Sequence, residues 1–264
     1  MAKGAKRILF LYSELAEYFV SALRVLSHQE NVEVLVIHWP INPEAPFQFD
    51  FPKEVKFIDK STLSFDKLNK AIKKFKPETI ISSGWMDKEY LEICKSNFKN
   101  ATTVVSLDNH WNGSLKQRIL ALISPFYLKK VFKNAWVPGK PQLEYAHKLG
   151  FKSAKEHFYA PNTDFYKNSF TNKIKPHRFL YVGRYVKHKG IFEMWQAFKE
   201  LKKEFPNDWE LWCLGVGDEY KNRVEHESIK HFGFVQPEEM MFFLKDTSVF
   251  VLPSKFEPWG VVAH

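Results

Sequence analysis

Two basic residues follow a short apolar segment in the second half of the chain, and their spacing suits a phosphate. The segment FLYVG ends at Gly183, Arg184 comes next, and Lys189 precedes a stretch with helical apolar spacing. Ligands of open α/β sheets bind beyond the carboxyl ends of strands, and a guanidinium, an ammonium and a helix N-terminus all attract anions. The pattern therefore predicts a phosphate or diphosphate site, and the alternative is a βα loop whose basic residues are only solvated.

A second candidate site lies near the end of the chain. An apolar run over residues 248–253 is followed by Glu257 and Gly260. Backbone N–H groups that could hold a phosphate there are those of Trp259, Gly260, Val261 and Val262. Gly260 would allow close approach, and Glu257 would accept hydrogen bonds from sugar hydroxyls. Alternatively, Glu257 is only a first-turn charge that complements a helix dipole.

Polar residues also end a predicted strand in the first half of the chain. Asp108, Asn109, His110 and Trp111 follow the apolar run 102–107. In a parallel sheet they would lie at the carboxyl edge, where ligands bind. The alternative is an Asp-Asn turn with the ring of Trp111 packed in the core.

Strands must position these candidate site residues in both halves of the chain. In the first half, the sequence pattern predicts strands that alternate with helices. Short β-branched or aromatic runs without polar alternation are typical of buried parallel strands. The predicted strands are residues 7–12, 33–38, 55–58, 78–82, 102–107 and 134–137. The predicted helices are residues 14–28, 65–75, 86–97, 115–132 and 140–149. This order predicts a parallel sheet covered by helices on both faces.

The same pattern starts again after a polar segment bracketed by prolines. The predicted strands are residues 178–183, 209–215, 228–234 and 248–253, and the predicted helices are 189–204, 217–226 and 237–245. We interpret the chain as an α/β protein with two Rossmann-like domains, the second of them incomplete. The predicted boundaries are 1–163 for the first domain, 164–176 for a linker and 177–264 for the second domain.

Net charge is distributed unevenly between the two halves. Residues 1–176 hold 27 Lys+Arg and 17 Asp+Glu, a balance of +10, whereas residues 177–264 hold 12 and 13, a balance of −1. Anionic lipid, nucleic acid and a phosphorylated acceptor are the partners that such a field would attract. A lysine-rich solvated surface is the alternative.

The predicted helix 115–132 combines apolar clusters with basic residues and contains Pro125, which is expected to kink or break it. One interpretation is peripheral contact with an anionic membrane. The other is a helix that buries one face against its sheet.

Composition and targeting signals favour a folded cytoplasmic protein. The aromatic content of 16% argues against disorder. Cys94 and Cys213 form neither a disulfide framework nor a metal-ligand spacing. No segment resembles a secretory signal or a bilayer-spanning helix. We therefore expect a cytoplasmic location, with the inner face of the membrane as the alternative.

In their order along the chain, the motifs resemble those of retaining GT-B glycosyltransferases, the large family that includes phosphatidylinositol mannosyltransferase. The matching residues are Gly183-Arg184, Lys189-Gly190, Gly215-Val216-Gly217, Gly233-Phe234-Val235, Pro253-Ser254 and Glu257-Pro258-Trp259-Gly260-Val261-Val262. Residues 161–164 also resemble the family's turn at the domain junction, and before residue 161 the resemblance is only architectural.

The resemblance implies a role for each of these positions. Arg184 and Lys189 would bind the donor's diphosphate and stabilise the leaving nucleotide, a charge that develops in the transition state. Glu257 would contact the donor sugar. The backbone of Phe234 and Val235 would hold the base, beside the turn that contains Gly217. In the first domain, either Asp108 or His110 would correspond to the family's sugar-contacting histidine.

The resemblance also leaves two hypotheses open. The family carries two glutamates separated by seven residues, and Glu257 matches the first of them. The second would fall at position 265, so a chain ending at His264 is expected to be truncated within its donor domain. One hypothesis is a retaining hexosyltransferase that uses a UDP- or GDP-linked donor and a glycan or lipid-linked acceptor. It would need no metal, because the two cations supply the charge. The other is an inactive nucleotide-sugar-binding or scaffold protein. A nucleic-acid binder ranks last, because no recognition module is present.

Overall fold

The computed structural model describes residues 5–163, 166 and 176–264. It divides into two compact units, Met1–Ile41 with Phe49–Ala160, and Asn42–Gln48 with Pro161–His264. Of the predicted linker 164–176, only residues 166 and 176 are among the described residues, and Asp164 of the junction turn is not. Each unit has its own sheet and its own buried clusters.

The first unit is built on a six-stranded parallel sheet. Its strands are β1 Lys6–Tyr12, β2 Val32–His38, β3 Val55–Asp59, β4 Thr79–Ser83, β5 Thr102–Ser106 and β6 Asn134–Trp136. They pair in the order β3-β2-β1-β4-β5-β6. This is the strand order of dinucleotide-binding Rossmann sheets, in which the order reverses between β1 and β4. The predicted parallel sheet is confirmed.

Five helices accompany these strands. They are α1 Glu17–Ser27, α2 Phe65–Phe75, α3 Lys88–Asn97, α4 Leu115–Tyr127 and α5 Lys140–Lys148. Four of them lie between consecutive strands, and α5 follows β6. Most bury an apolar stripe, as Leu68 and Ile72 of α2 show. Pro125 lies inside α4 without breaking it, and the helix passes into a 3₁₀ turn only at Leu128. None of the helices in the described ranges is long and apolar enough to cross a bilayer.

The second unit has a smaller parallel sheet. Its strands are β7 Arg178–Val182, β8 Glu210–Leu214, β9 Ile229–Gly233 and β10 Val249–Phe250, in the order β10-β7-β8-β9. Its helices are α6 Ile191–Glu204 and α7 Pro237–Lys245. Trp195 of α6 is fully buried with Tyr181 and Tyr185 beneath one face of this sheet, so the loop after β7 rests on a close-packed aromatic core.

Two predicted elements of the second unit are wrong in type or extent. Instead of a helix over 217–226, the chain forms only a 3₁₀ turn at Tyr220–Asn222. Gly217 has a φ of 153°, and the segment places only Tyr220 and Val224 against the core, too narrow an apolar stripe to stabilise a helix. The strand predicted over 248–253 is reduced to β10, because only Val249 and Phe250 pair with β7.

Candidate functional site

The loop that follows β7 carries both predicted cations. Gly183 donates its N–H to the Leu214 carbonyl at 3.0 Å, and the Tyr181 hydroxyl donates to the Arg184 carbonyl at 2.9 Å. The Arg184 side chain is exposed. Lys189 ends a 3₁₀ turn, Lys187–Lys189, just before α6. The two predicted cations therefore lie at the carboxyl edge of the second sheet, as the sequence pattern requires.

Lys189 and Glu257 form the central contact of the site. The Lys189 Nζ lies 2.6 Å from the Glu257 Oε2, and the Ser254 hydroxyl donates to the same oxygen at 3.0 Å. The two charged side chains are only 15% and 23% exposed. Partial burial strengthens such an ion pair relative to one at the surface. The structure thus brings together two predicted site residues that are 68 positions apart.

Close backbone approaches explain two of the motif glycines. A Cβ on Gly190 would lie 2.1 Å from the Pro253 carbonyl oxygen, and a Cβ on Gly215 would lie 2.0 Å from the Gly183 carbonyl oxygen. Neither position can accept a side chain unless the backbone moves. Because the loops after β7, β8 and β10 touch through their backbones, the glycine spacing sets the distance between Lys189 and Glu257.

The residues predicted to hold the base follow β8 and β9. Gly217 packs against the backbone of Tyr185. Phe234 is partly buried, and the Val235 side chain packs against the buried cluster around Trp212. The backbone of Phe234 and Val235, which the resemblance assigns to the base, thus directly follows β9 at the carboxyl edge of the sheet.

The end of the chain forms a turn rather than a long helix. Gly260 has a φ of 71°, and the 3₁₀ turn Val261–Ala263 follows it. Trp259 stacks on His264 with ring centroids 5.3 Å apart, and Val262 is 43% exposed. Within the turn, the N–H groups of Ala263 and His264 donate to the carbonyls of Gly260 and Val261.

In the first unit, Asp108 follows β5 and lies beside tyrosines that the sequence analysis missed. Burial is the main cause that raises the pKa of Tyr18 to about 12; the charges of Asp108 and Glu14 act in the same direction, and a hydrogen bond with Tyr12 acts against them. Burial is also the main cause of the raised pKa of Tyr159, with a smaller contribution from Asp108. Both phenols therefore stay protonated near neutral pH and can donate hydrogen bonds.

Only part of this tyrosine cluster could have been found from the sequence. Tyr18 follows the end of β1 by a few residues, a place where ligand contacts are common. Tyr159 is remote in sequence and gives no such signal. Its ring packs edge-on against that of Tyr18, with centroids 5.1 Å apart.

His110 and Trp111 occupy different surroundings. The His110 carbonyl accepts a hydrogen bond from the Gln117 side chain at 2.8 Å, which ties the loop to α4. Trp111 packs against the first buried cluster, 5.8 Å from the Tyr145 ring, with the Lys148 Nζ over its face. The Trp111 ring is therefore packed against the first unit's core, and the choice between Asp108 and His110 stays open.

No group of three or more His, Cys, Asp or Glu side chains within the described part of the chain is arranged to hold a metal ion. The loop after β7 carries the positive charges of Arg184, Lys187 and Lys189.

The chain is similar to known proteins in part of its sequence and in its fold. Residues 162–264 match the family model described as Glycosyl transferases group 1. No curated protein matches the chain in sequence.

Solved structures share the fold across almost the whole chain. HepE from Anabaena, in complex with UDP and glucose, superposes with a TM-score of 0.66 at 13% identity, covering 97% of this chain and 77% of its own. A trehalose-6-phosphate structure from E. coli, bound with UDP-2-fluoro glucose, gives a TM-score of 0.65 at 9% identity, with coverages of 98% and 80%.

The catalytic domain of starch synthase IV from Arabidopsis thaliana, bound to ADP and acarbose, gives a TM-score of 0.62 at 9% identity, covering 97% of this chain and 79% of its own. The fold is therefore that of the GT-B glycosyltransferases, and the predicted resemblance to GT-B glycosyltransferases is confirmed.

Proposed function

From the match of residues 162–264 to the group 1 glycosyltransferases, we propose that this protein transfers a sugar from a nucleotide-sugar donor to a hydroxyl acceptor. The observation that carries the proposal is the contact between Lys189 and Glu257 at the carboxyl edge of the second sheet, with Arg184 exposed in the same loop as Lys189. This arrangement combines cations for a diphosphate with a carboxylate for a sugar. The solved structures bound to UDP or ADP support a nucleotide-linked donor.

Each charged group has a distinct task in the proposed reaction. Arg184 is exposed and free to turn toward an arriving diphosphate. Lys189 forms an ion pair with Glu257, and its ammonium group would contact a phosphate oxygen in addition to, or in place of, the Glu257 carboxylate. As the bond from sugar to phosphate breaks, negative charge grows on the leaving nucleotide, and both cations lower the barrier. Glu257 would accept hydrogen bonds from the sugar hydroxyls.

The finer features of the proposal follow from the resemblance. The donor is UDP- or GDP-linked, its sugar is a hexose, and the anomeric configuration is retained. The backbone at Gly217, Phe234 and Val235 holds the base, and the turn at Trp259–Val262 contacts phosphate. No metal is required, since Arg184 and Lys189 supply the charge. In the first unit, Asp108 or His110 corresponds to the family's sugar-contacting histidine. The protonated tyrosines Tyr18 and Tyr159, which lie beside Asp108, donate hydrogen bonds to a glycan or lipid-linked acceptor.

Calorimetric titration with UDP, GDP and their common sugar conjugates tests the proposed donor site. We expect Arg184→Ala and Lys189→Ala each to weaken binding by about tenfold or more, since a charged hydrogen bond contributes roughly 1.5–3 kcal/mol. Lys187→Ala is the matched control, because Lys187 lies in the same loop with its side chain 81% exposed. We expect that variant to bind like the unmodified chain.

The outcomes separate the hypotheses. A retaining transferase is supported if nucleotide binding depends on Arg184 and Lys189 and if the transferred sugar has the same anomeric configuration in the product as in the donor. Proton NMR of the anomeric hydrogen measures that configuration. The same binding without transfer indicates a nucleotide-sugar-binding protein. Absence of binding to every nucleotide, or an equal loss in Lys187→Ala, contradicts the donor site.

A further inference from the structure

Helix α4 turns its apolar face outward. Leu115, Ile119, Leu122 and Phe126 are spaced by four, three and four residues, so they share one face of the helix. That face is exposed, with Leu115 and Leu122 at 74% and Phe126 at 76%. Among the residues of α4, only Ser124 is buried. Apolar side chains in such a row are normally the ones a helix buries, and an exposed row of this kind marks an interaction surface.

An apolar groove extends this surface. A cavity of about 260 Å³ opens beside α4, lined by Trp85, Ile123, Tyr127 and Leu149 among others. The polar groups of its lining side chains are the hydroxyls of Ser124 and Tyr127 and the indole N–H of Trp85, and the Ser124 hydroxyl already donates to the Leu149 carbonyl at 3.2 Å. The groove therefore offers almost only apolar contacts to whatever enters it.

Positive charge surrounds the apolar face. Between Asp108 and Glu144 the sequence contains six basic residues and no acidic residue. Lys116 and Arg118 lie in the first turn of α4, and Lys129 and Lys130 follow its end, all four exposed. None of the four forms an ion pair with an acidic side chain in the described ranges. Their charge is available to an anionic partner.

We propose that α4 and its flanking lysines and arginine dock this protein on a bilayer that contains anionic phospholipid. Leu115, Ile119, Leu122 and Phe126 enter the boundary between headgroups and acyl chains, while the basic side chains contact lipid phosphates. A second copy of the chain is a poor occupant, because pairing two such faces would bring two sets of cations together. This proposal does not depend on the glycosyltransferase activity.

Vesicle cosedimentation of the full chain tests the docking surface. We expect binding to vesicles of phosphatidylcholine with phosphatidylglycerol, weak binding to phosphatidylcholine alone, and a decrease as salt rises. The double variant Leu122→Ser, Phe126→Ser should lose about tenfold in affinity for each side chain removed. Lys129→Glu with Lys130→Glu should lose about fivefold or more for each lysine.

Matched control variants distinguish binding through α4 from non-specific binding of the protein to vesicles. Val25→Ser with Phe205→Ser removes two side chains that are 65% and 61% exposed elsewhere, and Lys73→Glu with Lys74→Glu reverses two adjacent exposed lysines of α2. Both control variants should bind vesicles like the unmodified chain. All four variants change exposed residues, so circular dichroism should show unchanged folding.

Three results would overturn the proposal. The first is absence of binding of the unmodified chain to the anionic vesicles. The second is an equal loss in the control variants. The third is a dimer in sedimentation velocity that Leu122→Ser, Phe126→Ser dissociates while vesicle binding stays unchanged, which would assign the apolar face to self-association instead.

Discussion

At the scale of single residues, the carboxylate of Asp87 in the first unit accepts four hydrogen bonds. Its Oδ2 accepts from the Lys60 Nζ at 2.5 Å and from the Trp39 Nε1 at 2.6 Å. Its Oδ1 caps α3 by accepting from the backbone N–H groups of Glu89 and Tyr90. One side chain thus joins a helix start to two loops.

These contacts make the stability of the first unit dependent on pH. Burial alone would raise the pKa of Asp87, but the hydrogen bonds from Lys60 and Trp39 outweigh it, so the pKa is lowered. A lowered pKa in the folded state stabilises the protein above the ordinary pKa of an aspartate. That stabilisation is lost as the pH falls through the folded-state pKa.

We predict that Asp87→Asn lowers the free energy of unfolding by about 1–3 kcal/mol at pH 7, because it leaves the Lys60 and Trp39 donors poorly satisfied. The difference from the unmodified protein should shrink under acidic conditions, where Asp87 is itself protonated. Urea unfolding followed by circular dichroism at several pH values measures it. Glu89→Gln, at the exposed partner of the same Lys60, should cost under about 1 kcal/mol. A pH-independent deficit in Asp87→Asn would contradict the prediction.

At the scale of elements, α2 shows how sequence ends a helix. Lys76 caps it in the left-handed conformation, with φ 52° and ψ 62°. Pro77 follows, and a residue before proline is excluded from the right-handed helical region. The Lys76 carbonyl also accepts from the Arg7 Nε at 2.8 Å, so main-chain contacts hold the strained residue in place.

The same substitution should therefore have opposite effects at two lysines of α2. Lys76→Gly relieves the left-handed strain and should raise the free energy of unfolding by about 0.5–1 kcal/mol. Lys73→Gly, inside the helix at an exposed position, should lower it by about 0.7–1 kcal/mol. Thermal unfolding of both variants gives the comparison. A loss of stability in Lys76→Gly would show that the lysine side chain has a role of its own.

At the scale of the whole molecule, the two units differ in charge and in the site residues they carry. The excess of Lys and Arg lies in residues 1–176, and the residues predicted for the donor's base and diphosphate lie in 183–262. A ligand that binds only folded protein stabilises the unit that holds its site.

We predict that nucleotide binding stabilises the second unit selectively. With free UDP or GDP at 100 times its dissociation constant, the free energy of unfolding should rise by about 2.7 kcal/mol. Scanning calorimetry measures the rise, and amide hydrogen exchange should place the added protection in the loops after β7, β8 and β9. Added protection confined to the first sheet would place the nucleotide site in the first unit and contradict the prediction. Arg184→Ala is the control in which the rise should be smaller.

The local sequence pattern correctly predicted those helices and strands in which hydrophobic period, capping residues and proline all favour the same structure. Helix α2 was predicted over 65–75 and α7 over 237–245, and both have those bounds. Hydrophobic period, capping residues and proline act within one or two turns of the chain, so a sequence displays them directly. The helix predicted over 217–226 was wrong because the backbone at Gly217 and the narrow apolar stripe outweighed its helix-forming residues.

Only the tertiary structure determined which residues that are distant in the sequence come into contact, and which side chains are exposed. The sequence by itself determined the two-domain α/β fold and the chemical types at Arg184, Lys189 and Glu257. That Lys189 and Glu257 meet at 2.6 Å depends on loops whose backbones touch at Gly190 and Pro253. Likewise, the period of α4 predicts an apolar face, but only packing determines that this face points outward. Periodicity is a local property, whereas contact and exposure depend on how the strands and helices of a unit pack together.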